Sequence, residues 1–121
     1  NHSSHLIVLH HKLLWLVDND TLQQQVSNVS NGNLGDCFHC LDSCNFYTEI
    51  YPLLLEVKSR NIEVILLAGD IGNKVKSFEQ INSDGIILLA SGIKASTEGN
   101  KVLVFEHQIT DRKLSWEFID F

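Results

Sequence analysis

A histidine pair and a lone carboxylate carry the clearest chemistry in this chain. His10 and His11 close the run "IVLHH", and Asp70 stands between two glycines in "LLAGDIGNK". Imidazole nitrogen and carboxylate oxygen both bind divalent transition metals such as Mn, Fe or Zn. His10 and Asp70 are therefore the candidate metal ligands. His11 is a candidate for steadying that pair by a hydrogen bond. Two groups fall short of a catalytic centre, because a metal normally takes three or more protein ligands. No catalytic residue is assigned on these grounds. The same residues also suit a structural role, with the histidines bonded to loops and Asp70 closing a Gly-rich turn.

A second constellation is "CFHCLDSC", which holds Cys37, His39, Cys40 and Cys44. Thiolates and an imidazole this close can bind zinc. The spacing is irregular, however, and suits free thiols beside a chance histidine, or a Cys37–Cys40 disulfide, equally well. Three cysteines leave one unpaired in any disulfide scheme, which favours a reducing compartment and hence the cytoplasm. Asn28-Val29-Ser30 matches a glycosylation sequon, a pattern that chance produces often.

Strands must place these groups. "HLIVLH" (5–10), "IEVILLA" (62–68) and "GIILLAS" (85–91) are short continuous apolar runs, as in strands buried on both faces. In an open α/β sheet, ligands bind beyond the carboxyl ends of the strands. If the first two runs are parallel neighbours, His10 and Asp70 reach the same rim. "KVLVFEHQI" (101–109) and "KLSWEFIDF" (113–121) alternate apolar with polar residues and are joined by "TDR", which predicts an antiparallel hairpin. Leu114, Trp116 and Phe118 share its core-facing side.

Between the first two strands lies a polar stretch, 18–45, unusually long for a loop in a compact domain. It has room for a short helix over "DTLQQQVSNV", capped by Asp20 or Thr21. A clearer helix spans "EIYPLLLEVKSR". Pro52 suits its first turn, where the missing N–H is not needed. Ile50, Leu53, Leu54 and Val57 are expected on its buried stripe, and Asn61 can close its end. The expected fold is α/β: a mixed sheet of about five strands with one main helix, in a single domain over 1–121.

Composition narrows the classes of partner. Nine Lys and Arg against fifteen Asp and Glu give a net charge of −6, with no basic cluster. Nucleic-acid binding, which needs such a cluster, is not expected. The apolar runs are far shorter than the ~20 residues that span a bilayer, and no secretory leader opens the chain. There is no Met at any position, so the sequence reads as a processed chain or a piece of something longer.

In order and spacing, "IVLHH…W", "EIYPLLLEVKSRNIEVILLAGDIG", "DGIILLASGI" and "NKVLVFEHQITDRKLSWEFIDF" resemble the carboxyl-terminal half of a calcineurin-like metallophosphoesterase, the superfamily of the purple acid phosphatases. The likeness runs over most of the chain from residue 5 onward. It implies half of a metallophosphoesterase α/β sandwich, with His10 at a metal-ligand position. In that family a strand ends in Gly-His-x-His. Here the motif is degenerate and reads Gly69-Asp70-Ile71-Gly72. Asp70 keeps a ligating group, whereas Gly72 offers none. The Asp-x-His, Gly-Asp-x-x-Asp and Gly-Asn-His motifs of the family's first half have no counterpart. A two-metal clamp on the attacking and leaving oxygens therefore cannot be assembled from this chain alone.

Three readings follow. The first is a metallophosphoesterase-like half-domain, inactive in isolation and completed by a partner or by a missing amino-terminal half. Alternatively the chain is a stand-alone binding or assembly module that forms a homo-oligomer. The third reading is a phosphoester hydrolase working with a single metal through His10 and Asp70.

Overall fold

Two nearly unbroken apolar runs, Val64–Leu67 and Ile86–Ala90, form the centre of the molecule. The structure is a computed structural model that describes residues 3–16, 19–29, 45–69, 71, 77–93 and 99–121. Strands β1 (His5–His10), β2 (Glu63–Ala68), β3 (Ser77–Ile81) and β4 (Ile87–Ser91) make one sheet in the order β1-β2-β4-β3. β1, β2 and β4 run parallel, and β3 is antiparallel to β4. Strands β5 (Lys101–Gln108) and β6 (Lys113–Asp120) form a separate antiparallel pair. The mixed sheet and main helix expected from the sequence are present. The described strands number six rather than five, divided between two sheets.

Both faces of β2 and β4 are covered. On one face Val64, Leu66, Ala68, Leu88 and Ala90 pack with Trp15, Leu16, Phe46 and Leu54. On the other, Ile65, Ile87 and Leu89 meet Leu103, Phe105, Leu114, Trp116 and Phe118 of the hairpin. This is why the central runs lack alternation while β5 and β6 keep it: only one side of the hairpin meets a core. A half-sandwich with one bare sheet face is thus not what forms at β2 and β4.

Helix α1 (Asp20–Val29) begins inside the polar stretch. Its cap is Asn19, whose Oδ1 accepts the Leu22 N–H at 3.0 Å, rather than Asp20 or Thr21. Asn19 wins because its side chain sits three residues before a free N–H, where an acceptor fits. A π-helical turn, Phe46–Ile50, runs into α2 (Tyr51–Ser59), with Pro52 in the first turn. Asn61, at φ 62°, ends this helix and donates its N–H to the Lys58 carbonyl.

The expected buried stripe of α2 needs correction. Leu54 is buried and Val57 packs on the core, but Leu53 is 57% exposed and Ile50 47%. The inward line is Tyr51–Leu54–Val57. Leu53 lies about 100° round the helix from Leu54 and meets solvent. Ile50 belongs to the wider turn, so it does not share the phase of α2.

β3 was not foreseen. "SFEQI" has too few apolar residues to signal a strand, because it is an edge strand with only Phe78 packed on the core. The available sign was "NSDG" at 82–85. Gly85 there takes φ 73°, and Asn82 Oδ1 accepts the N–H groups of Asp84 and Ile86. The Tyr51 hydroxyl donates to Asp84 at 2.6 Å and accepts from Asn82 Nδ2 at 2.7 Å, which ties the turn to α2.

Candidate functional site

Parallel pairing brings His10 level with Ala68, and Ala68 level with Ala90. The carboxyl ends of β1, β2 and β4 therefore share one rim, as the sequence argument required. A cavity of about 640 Å³ opens there, with His10, His11, Gly69, Ser91 and Lys101 among its lining residues. His11 is exposed on the rim. Asp70 and Gly72 lie outside the described residues, so the predicted meeting of His10 with Asp70 stays an expectation. Cys37, His39, Cys40 and Cys44 also lie outside the described residues.

His10 ends β1 on the helix side of the sheet. Its ring stands edge-on to Trp15, with centroids 5.0 Å apart and planes at 81°. Its Nδ1 is hydrogen-bonded to the Lys12 carbonyl oxygen. A carbonyl can only accept, so Nδ1 carries the hydrogen and Nε2 keeps its lone pair. That Nε2 is buried without a hydrogen-bond partner among the described residues, and so is Trp15 Nε1. Burial holds the His10 pKa below its ordinary 6.5, against a smaller upward pull from the Lys12 carbonyl. The ring is consequently neutral near pH 7, the state in which imidazole binds metal.

A backbone carbonyl on one imidazole nitrogen with the other left free is the arrangement that orients metal-bound histidines. His10 has this arrangement among the described residues. Among the described residues, no group of three or more His, Cys, Asp or Glu side chains lies close enough to hold an ion. His10 also borders a second cavity of about 470 Å³, walled by Val8, Leu14, Phe46 and Leu54, with Asn45 and Glu49 on its edge. Asn45 Nδ2 donates to Glu49 at 2.8 Å.

The other end of β1 holds a group of polar side chains that spacing did not reveal. Ser4 Oγ lies 2.8 Å from His5 Nδ1, and His5 Nε2 lies 3.1 Å from a carboxylate oxygen of Glu63. His5 faces the hairpin and meets the His107 ring edge-on at 5.5 Å. Ser4 and His5 are neighbours in sequence, but Glu63 joins them only through the β1–β2 register. No local pattern announces a pairing of that kind.

Comparisons with protein-family models, with curated proteins and with solved structures find no match for this chain. The functional reading therefore rests on the residues themselves.

Proposed function

We propose that this chain is a metallophosphoesterase-like α/β half-domain that offers one metal-ligand position and does not hydrolyse phosphate esters alone. The observation that carries the reading is His10: Nδ1 tied to a backbone carbonyl, Nε2 buried and unpartnered, at the rim shared by three parallel strands. The order of segments that resembles the phosphoesterases supports it. Bound there, a divalent ion would act as a Lewis acid on a phosphoryl oxygen. His10 would hold it, with Asp70 as the second ligand.

The test is turnover of a chromogenic phosphate ester with added Mn²⁺ or Zn²⁺, alongside calorimetry with the metal alone. The expected result is no turnover above background, and weak metal binding that His10→Ala removes. Turnover abolished by His10→Ala would instead establish a single-metal hydrolase.

A second reading, a self-associating module, is favoured by the edge of the sheet. β1 has no described strand on its outer side. Its Leu9 is 72% exposed and Ile7 is exposed beside it, on the face that the hairpin leaves uncovered at β1. An open edge with apolar side chains is a template for pairing, and a two-fold axis needs only one self-complementary patch. Light scattering across micromolar concentrations tests this. A dimer that Leu9→Lys converts to monomer is expected; a 13.7 kDa species throughout would exclude it.

A further inference from the structure

Ser4, His5 and Glu63 stand in line from hydroxyl to imidazole to carboxylate: Ser4 Oγ is hydrogen-bonded to His5 Nδ1 at 2.8 Å, and a Glu63 carboxylate oxygen lies 3.1 Å from His5 Nε2. In the neutral ring with its hydrogen on Nε2, the nitrogen nearer Glu63, Nδ1 accepts from the Ser4 hydroxyl. That is the order of roles in a nucleophile, its base and the group that orients the base. The serine meets Nδ1 and the carboxylate Nε2; the two ring nitrogens are chemically able to exchange these tasks. The His5 side chain is only 12% exposed, whereas Glu63 reaches solvent.

The surroundings suit a substrate. Ser4 and His5 line a cavity of about 700 Å³ whose other walls include Ile7, Phe105, Ile109 and Leu114. Ser4 and Glu63 also border an adjoining cavity of about 410 Å³ that contains Lys58 and Asn61. Arg112 lines both. The apolar part of the first space is formed by Ile7, Phe105, Ile109 and Leu114. Lys58 and Arg112 thus bring positive charge to the lining of the space that Ser4 borders.

We propose that Ser4, His5 and Glu63 constitute an acyl-transfer site for carboxylic esters with a short apolar acyl chain. Ser4 Oγ attacks the ester carbonyl carbon, and its proton passes to His5 Nδ1. The Glu63 carboxylate, 3.1 Å from Nε2, stabilises the imidazolium by its charge. The carbon–alkoxide bond then breaks, and the departing alkoxide takes the proton from Nδ1, leaving an acyl-Ser4 ester. Water attacks that ester and gives a proton to Nδ1. The carbon–Oγ bond breaks, and Ser4 recovers the proton as the carboxylic acid leaves. No metal takes part, so the site is independent of the His10 rim.

The decisive experiment treats the whole chain, in EDTA, with a fluorophosphonate probe and maps the adduct by mass spectrometry. A single adduct on Ser4 is expected. This is read on the wild-type chain, so it does not depend on any variant folding. In parallel, p-nitrophenyl butyrate hydrolysis is measured for Ser4→Ala, His5→Gln and Glu63→Gln, each confirmed folded by circular dichroism. Ser4→Ala and His5→Gln should each lose at least about 100-fold in kcat/KM, the usual scale of a positioned base and its nucleophile. Glu63→Gln, altering a positioning residue, should lower kcat with KM unchanged. An unlabelled Ser4 in folded protein, or ester hydrolysis that survives Ser4→Ala, overturns the proposal.

Discussion

The two ends of β1 place the same side chain in opposite circumstances. His10, at the carboxyl end, faces the helix layer, has one nitrogen bonded to a carbonyl, and keeps the other buried and unpartnered. His5, at the amino end, faces the hairpin and has both nitrogens engaged, by Ser4 and Glu63. They are five positions apart, an odd offset, so the pleat sends them to opposite faces. One imidazole keeps a nitrogen without a described partner; the other has a hydroxyl and a carboxylate beside its two nitrogens. Neighbours and burial, not residue type, set the difference.

The largest effect expected from breaking this contrast comes from Trp15→Ala. Trp15 is 1% exposed and packs on His10, so its removal should cost about 3–5 kcal/mol in urea unfolding. A loss under about 1 kcal/mol would mean that the carboxyl end of β1 is not seated in the core. Leu54→Ala, beneath the same layer, should cost about 2–5 kcal/mol. Leu53→Ala, one residue earlier but exposed, should stay within about 0.5 kcal/mol. Equal effects at the two leucines would refute the inward line of α2.

Acid should also tell the ends apart. Because burial lowers the folded-state pKa of His10 below 6.5, the unfolded chain binds its proton first as pH falls. His10 therefore leaves stability unaffected above the unfolded value, and stability drops as pH falls below 6.5 towards the folded value. In metal-free buffer, His10→Phe keeps an aromatic ring against Trp15 and cannot titrate. Its unfolding free energy should fall less steeply with acid than that of the wild type. Identical slopes would show that His10 is not the group responsible.

The smallest effect belongs to the amino end. Glu63→Gln breaks a partly exposed pair, and its stability cost should not exceed about 1 kcal/mol at pH 7. A larger cost would mean that Glu63 props up the fold rather than orienting His5.

Much of this was legible along the chain. Val64–Ala68 and Ile87–Ala90 are apolar at every position because both of their faces are covered. Alternation marked β5 and β6 because one side of each meets solvent. Pro52 and Asn61 marked the ends of α2 through the backbone angles they favour. These are signals of local conformation and of how many sides of a segment are buried, and both are written in consecutive residues.

The rest depended on which distant segments meet. β3 is a strand because β4 offers it an edge, not because "SFEQI" prefers one. Leu54 rather than Leu53 is buried because the sheet lies under one narrow stripe of α2. The neutral state of His10 comes from Trp15 and the surrounding core. His5 finds Glu63 because β1 and β2 pair in parallel at that register, and a shift of one residue would send Glu63 to the other face of the sheet. Residue order fixes which groups exist and how each segment bends. Only the packing of layers sets which of those groups touch, since long-range register and burial are properties of pairs of segments.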